Sequence, residues 1–121
     1  MGRPPLRFAV QATNAAGARE WRDTARKVQD LGYSTLFLAD HYLGPGPAQR
    51  AARTPRQDLA PIAAMATAAA VTETLRIGCR VFCVDYHVPA VLAKTEATVW
   101  LGDNPVGPQA LAPFLSALFF Q

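Results

Sequence analysis

Three short apolar runs alternate with segments of helical period through the first 98 residues, and this alternation constrains the fold more than any other feature of the 121-residue chain. Residues 7–11 (Arg-Phe-Ala-Val-Gln) read as a first strand that ends in a polar stretch over residues 12–17. From Ala18 the period changes: Trp21, Ala25 and Val28 recur at helical spacing while Arg22, Asp23, Arg26, Lys27 and Asp30 fall on other faces. The spacing predicts a helix over residues 18–31, closed by Gly32 as a C′ residue in the left-handed conformation. Residues 35–39 (Thr-Leu-Phe-Leu-Ala) are apolar without alternation, as in a strand covered on both faces, and the run stops at Asp40-His41.

Prolines 45, 47 and 55 argue against regular structure over residues 42–56. Asp58 is expected to cap a second helix over residues 59–72, with Pro61 in its first turn and seven alanines supplying helix propensity. Residues 75–84 read as a third strand, residues 85–89 (Asp-Tyr-His-Val-Pro) as a turn, and residues 90–98 as a third helix. Strands alternating with helices of this length imply an α/β fold with a parallel sheet and right-handed crossovers. After Val99 the periodicity is lost to Gly102-Asp103-Asn104-Pro105, Pro108 and Pro113. The expected organisation is therefore a domain over residues 1–98 and a divergent apolar tail over residues 99–121.

Half of the residues are hydrophobic and 17% are charged, a globular profile rather than a disordered one. A net charge of +3 invites a nucleic-acid reading, but the basic residues are scattered and no aromatic residues are interleaved with them. The apolar run over residues 111–120 is broken by Pro113 and is shorter than the ~20 residues of a membrane helix. No secretory signal is visible, so the expected compartment is the cytoplasm. On a strand, Cys79 and Cys83 would lie about 13 Å apart at ~3.3 Å per residue. That exceeds the roughly 7 Å limit for a disulfide, so reduced thiols along one strand face are expected. With only two histidines and two cysteines in the chain, no metal site is expected.

In order and spacing the elements resemble the luciferase-like monooxygenase family, and within it the oxidoreductases that use the deazaflavin coenzyme F-420. The matching pieces are residues 8–11 (Phe-Ala-Val-Gln), 30–33 (Asp-Leu-Gly-Tyr), 39–41 (Ala-Asp-His), 57–61 (Gln-Asp-Leu-Ala-Pro), 74–78 (Thr-Leu-Arg-Ile-Gly) and 89–94 (Pro-Ala-Val-Leu-Ala-Lys), with Ala97-Thr98. The resemblance implies the first three β/α units of a TIM (β/α)₈ barrel, here a truncated parallel sheet with flanking helices. Such a barrel usually takes roughly 250 residues and rarely fewer than about 200.

The resemblance makes His41 the catalytic candidate, an acid or base beside the cofactor ring at the end of the second strand, with Asp40 as its neighbour. An imidazole suits that role because its unperturbed pKa is about 6.5. It also places a non-prolyl cis peptide, on which the ring rests, at Cys79, Arg80 and Val81, so these three and Asp40 join His41 as cofactor-binding candidates. Read without the family, Asp40-His41 is a polar strand end and Arg80 an edge residue. His87 belongs to a turn like the family's Tyr-Arg-His-Pro, with Val88 where histidine is common, and is expected to be exposed. Arg50, Arg53 and Arg56 read either as a solvated basic loop or as groups near an anionic cofactor tail.

Three readings follow. The chain belongs to an enzyme moving hydride between coenzyme F-420 and a small organic substrate; or it is a catalytically silent fragment stabilised by self-association; or its cofactor is FMN. Without the later strands the chain alone is expected to be inactive, and it need not bind the cofactor.

Overall fold

A computed structural model describes residues 5–42 and 46–100 of the chain. The described elements are β1 (Ala9–Gln11), α1 (Ala18–Asp30), β2 (Thr35–Leu38), α2 (Pro47–Ala52), α3 (Pro61–Ala69), β3 (Arg76–Cys79), a 3₁₀ turn (Val84–Tyr86) and α4 (Pro89–Trp100). The strands form one parallel sheet in the order β1-β2-β3. Val10 stands opposite Leu36 and Leu36 opposite Ile77, while Leu38 stands opposite Cys79. Because side chains alternate along a strand, this register collects Val10, Leu36, Leu38, Ile77 and Cys79 on one face of the sheet.

That face carries the core. Trp21, Ala25 and Val28 of α1 and Ala64, Met65 and Ala68 of α3 pack on it with Leu75. Leu36, Leu38 and Leu75 are completely or almost completely buried, each contributing roughly 1.5–3 kcal/mol relative to exposure. The small alanines of α3 let its axis approach the sheet, and the Trp21 indole N–H donates to the Ala64 carbonyl 2.8 Å away, locking α1 to α3. At the other end of α1, Gln29 Oε1 accepts the backbone N–H groups of Glu73 and Thr74, fixing the turn that leads into β3.

Helix α1 ends as its sequence predicts. Gly32 has φ 81° and donates to the Gln29 carbonyl, while Tyr33 donates to that of Val28, the paired bonds of a Schellman motif. Helix α3 begins differently from expectation. Its N-cap is Ala60, without a side-chain cap, and Pro61 takes the first position. Asp58 instead donates its N–H to the Thr13 carbonyl and pairs with Arg56 Nε at 2.9 Å. Helix α2 was not expected either. Pro47 starts it rather than preventing it, because a proline at N1 removes only an N–H that has no intrahelical partner.

The third strand is shorter than the 75–84 expected, and the reason lies in its partner. Strand β2 ends at Leu38, and the last ladder bond runs from Arg80 N–H to the Leu38 carbonyl at 2.7 Å. A non-prolyl cis peptide then joins Arg80 to Val81, within the stretch where the family resemblance locates one. Cys83 consequently lies beyond the strand, half-buried, and only Cys79 is a buried strand thiol; both are free. No helix among the described residues is long and apolar enough to cross a membrane. The apolar tail and the interface expected of Leu111, Phe114, Leu115, Leu118, Phe119 and Phe120 lie outside the described residues.

Candidate functional site

In a parallel β/α sheet the C-terminal strand ends and the loops that follow them gather on one side, where barrel enzymes place their chemistry. Here three loops are laced together on that side. After β1, Thr13 Oγ1 donates to the Arg56 carbonyl at 2.8 Å, while the Asp58 N–H donates back to the Thr13 carbonyl. After β2, the His41 N–H donates to Gln57 Oε1 at 3.0 Å. Residues 56–58 thus bridge the ends of β1 and β2.

The ends of β2 and β3 are joined more tightly, through Asp40. Its Oδ2 accepts the Cys83 N–H at 3.0 Å and lies 2.7 Å from His87 Nε2. The Asp40 side chain is 1% exposed and that of His87 16%, so the contact is almost removed from water. The His87 ring packs edge-on against Phe82, with centroids 5.6 Å apart, and one shell outward Tyr42 meets Tyr86 edge-on at 4.6 Å. The turn histidine expected to be exposed is therefore the partner of a buried carboxylate. That contact spans 47 positions, and only the shared polarity of a strand end and a following turn hints at it in the sequence.

Electrostatics follow from the burial. Cys79, at the end of β3, has its thiol pushed up to about 12 by burial and then by the negative charges of Asp40 and Glu96. Glu96, on α4, has its carboxyl pushed up to about 7 by burial, against the opposing influence of His87. Asp40 Oδ1 and Glu96 Oε1 are buried without a hydrogen-bond partner among the described residues. Asp40, Cys79, His87 and Glu96 thus form one cluster between the sheet and α4. Among the described residues no group of three or more His, Cys, Asp or Glu side chains is arranged so that it could hold a metal ion.

The other predicted residues sit around this cluster. His41 is exposed, next to the buried Asp40. Val81 is 70% exposed, and Arg80 is also exposed, where water can satisfy a guanidinium. Arg56 is engaged by Asp58, whereas Arg50 and Arg53 are exposed on and just after α2. Five candidates, Asp40, His41, Cys79, Arg80 and Val81, thus share the C-terminal side of the sheet, with Cys79 on the helix-covered face and His41, Arg80 and Val81 at the surface.

A comparison with family sequence models matches the luciferase-like monooxygenase family over residues 5–101. The chain belongs to the luciferase-like monooxygenase family. The match spans every described element, so the three-stranded parallel sheet with its flanking helices is consistent with part of a luciferase-like barrel. No curated protein matches the chain. Luciferase-like proteins use flavin or deazaflavin cofactors, and such a ring needs apolar support for its face and a polar group beside its edge. The exposed Val81 and His41 are residues of those two kinds on one side of the sheet.

Proposed function

We propose that this chain forms part of the cofactor site of a luciferase-like oxidoreductase that moves hydride between coenzyme F-420 and a small organic substrate. The observation that carries the reading is an exposed imidazole, His41, placed at the end of β2 directly after the buried Asp40, whose carboxylate holds the loop that bears Val81. A bound deazaflavin supplies the hydride chemistry; the protein supplies orientation and proton handling. In this reading Val81 supports the face of the ring. His41, whose backbone Gln57 holds, gives or takes the substrate proton from its ring nitrogen. Asp40 fixes the β3 loop through Cys83 and His87 rather than taking part in proton transfer. FMN is the alternative cofactor, and the contacts that separate the two lie partly outside these three units.

The three units alone bind weakly and do not turn over, because the ring, phosphate and substrate contacts of a barrel come from loops after many strands. The chain acts in the cytoplasm, and it self-associates through the edges of its open sheet. The test is a His41→Ala substitution in a chain that carries these three units within a complete barrel. Turnover should fall by on the order of 10² to 10⁴ with cofactor affinity less affected. Unchanged turnover would remove His41 from the chemistry.

A further inference from the structure

We propose that His87 is a positioning residue: through Asp40 it latches the loop after β3 onto the end of β2, and so fixes Val81 relative to His41. The latch itself stands on geometry alone; its consequence for a bound ring rests on the cofactor reading above.

A single oxygen, Asp40 Oδ2, meets two groups of the same loop, the Cys83 N–H and His87 Nε2, while the backbone of Asp40 leads directly into His41. Upstream, the loop is tied to β2 by the Arg80 N–H on the Leu38 carbonyl. Residues 80–87 are therefore held at both ends, with Val81 between the ties. No other described side chain pairs with the Asp40 carboxylate, which is almost wholly buried. A carboxylate taken out of water keeps its charge only if it is paired and hydrogen-bonded, so loss of the imidazole leaves an uncompensated charge under the loop.

Other titratable groups face the pair from β3, from α4 and from the loop itself. Cys79 from β3 stays a neutral thiol, and Glu96 from α4 is held largely neutral below about pH 7 by its burial. Besides His87, the loop itself carries Arg80, Cys83, Asp85 and Tyr86. Phe82 fixes the orientation of the ring edge-on, so that Nε2 faces the carboxylate.

The test is amide hydrogen exchange on the full chain at pH 6.5, comparing wild type with His87→Ala and His87→Gln. Loss of a charge-assisted bond of this kind should speed exchange at Arg80 and Cys83 by about tenfold or more, with Leu36 and Leu38 unchanged. The glutamine amide donates to the same oxygen and should restore most of the protection. Should His87→Ala fail to fold, His87→Asn, whose amide is too short to reach, takes its place. Unchanged exchange at Arg80 and Cys83, an equal rise throughout the core, or no rescue by glutamine would each overturn the latch. Titration of the same proteins with FMN and with coenzyme F-420 separates the two ideas. Selective loosening without binding of either cofactor supports the latch and removes the cofactor reading. Cofactor binding at His41 with exchange unaltered in His87→Ala removes the latch alone.

Discussion

Asp40 and His87 lie 47 positions apart in sequence, yet His87 Nε2 is 2.7 Å from Asp40 Oδ2 inside the junction of β2, β3 and α4. The pair is nearly buried, so breaking it should be expensive. Asp40→Ala leaves the Cys83 N–H and His87 without their acceptor and should lower the free energy of unfolding by about 3 kcal/mol. Urea denaturation checks this through a drop in midpoint; a change below about 0.5 kcal/mol, the range of ordinary surface substitutions, would mean that the pair is open to solvent.

Glu96 makes stability depend on pH. Its folded carboxyl is raised from the ordinary 4.5 to about 7, so between those values the folded chain holds a proton that the unfolded chain releases. The stability due to the neutral carboxyl is fully present below about 4.5 and is lost as pH rises through about 7. Glu96→Gln cannot ionise, so it should flatten this part of the profile and leave the variant more stable relative to wild type at pH 8 than at pH 5. Thermal melts of both proteins at the two pH values decide the sign.

The two thiols should react at different rates. With its pKa near 12, Cys79 carries a thiolate fraction on the order of 10⁻⁴ at pH 8, and it is also buried in the core. Cys83, half-buried beyond the strand, should be alkylated first in the native chain. Peptide mass spectrometry after brief iodoacetamide treatment reads the order; equal labelling would show that the end of β3 opens readily.

The parallel order of the three strands was legible because each apolar run was bounded by a change of period, and α1 because Trp21, Ala25 and Val28 share one face and Gly32 closes it. What was not legible depends on long-range partners. Residues 80–84 are apolar enough for a strand, but β2 ends at Leu38 and leaves them no backbone to pair with. Asp58 has the right chemistry for a helix cap, yet Thr13 and Arg56 claim its polar groups. Pro47 was read as a breaker when it is a helix start. Asp40 was singled out as a neighbour of His41, whereas its actual partner, His87, sits in a turn whose polarity alone predicted exposure.

Helix α1 depends on one buried donor. Trp21→Phe removes the indole N–H bonded to the Ala64 carbonyl and opens a void between α1 and α3. The expected loss is about 1–3 kcal/mol, with cooperative unfolding retained, measured by urea titration followed by circular dichroism.

The most direct test of the cofactor reading is the magnetic resonance response of the chain to a flavin-type ring. The chain has two histidines, so the ring signals of His41 and His87 are assigned by single substitutions. Titration with oxidised coenzyme F-420, and separately with FMN, should shift the His41 ring and the Val81 methyl signals in a saturable manner at ligand concentrations on the order of 10⁻⁴ M or higher, the weak affinity expected of an incomplete set of contacts. The Val28 and Leu36 methyls, on the helix-covered side, should remain in place. Saturable shifts confined to His41, Val81 and their neighbours are the predicted result. No shift at millimolar ligand, or shifts that map to α1 with His41 unmoved, would contradict the assignment of this strand end to the cofactor.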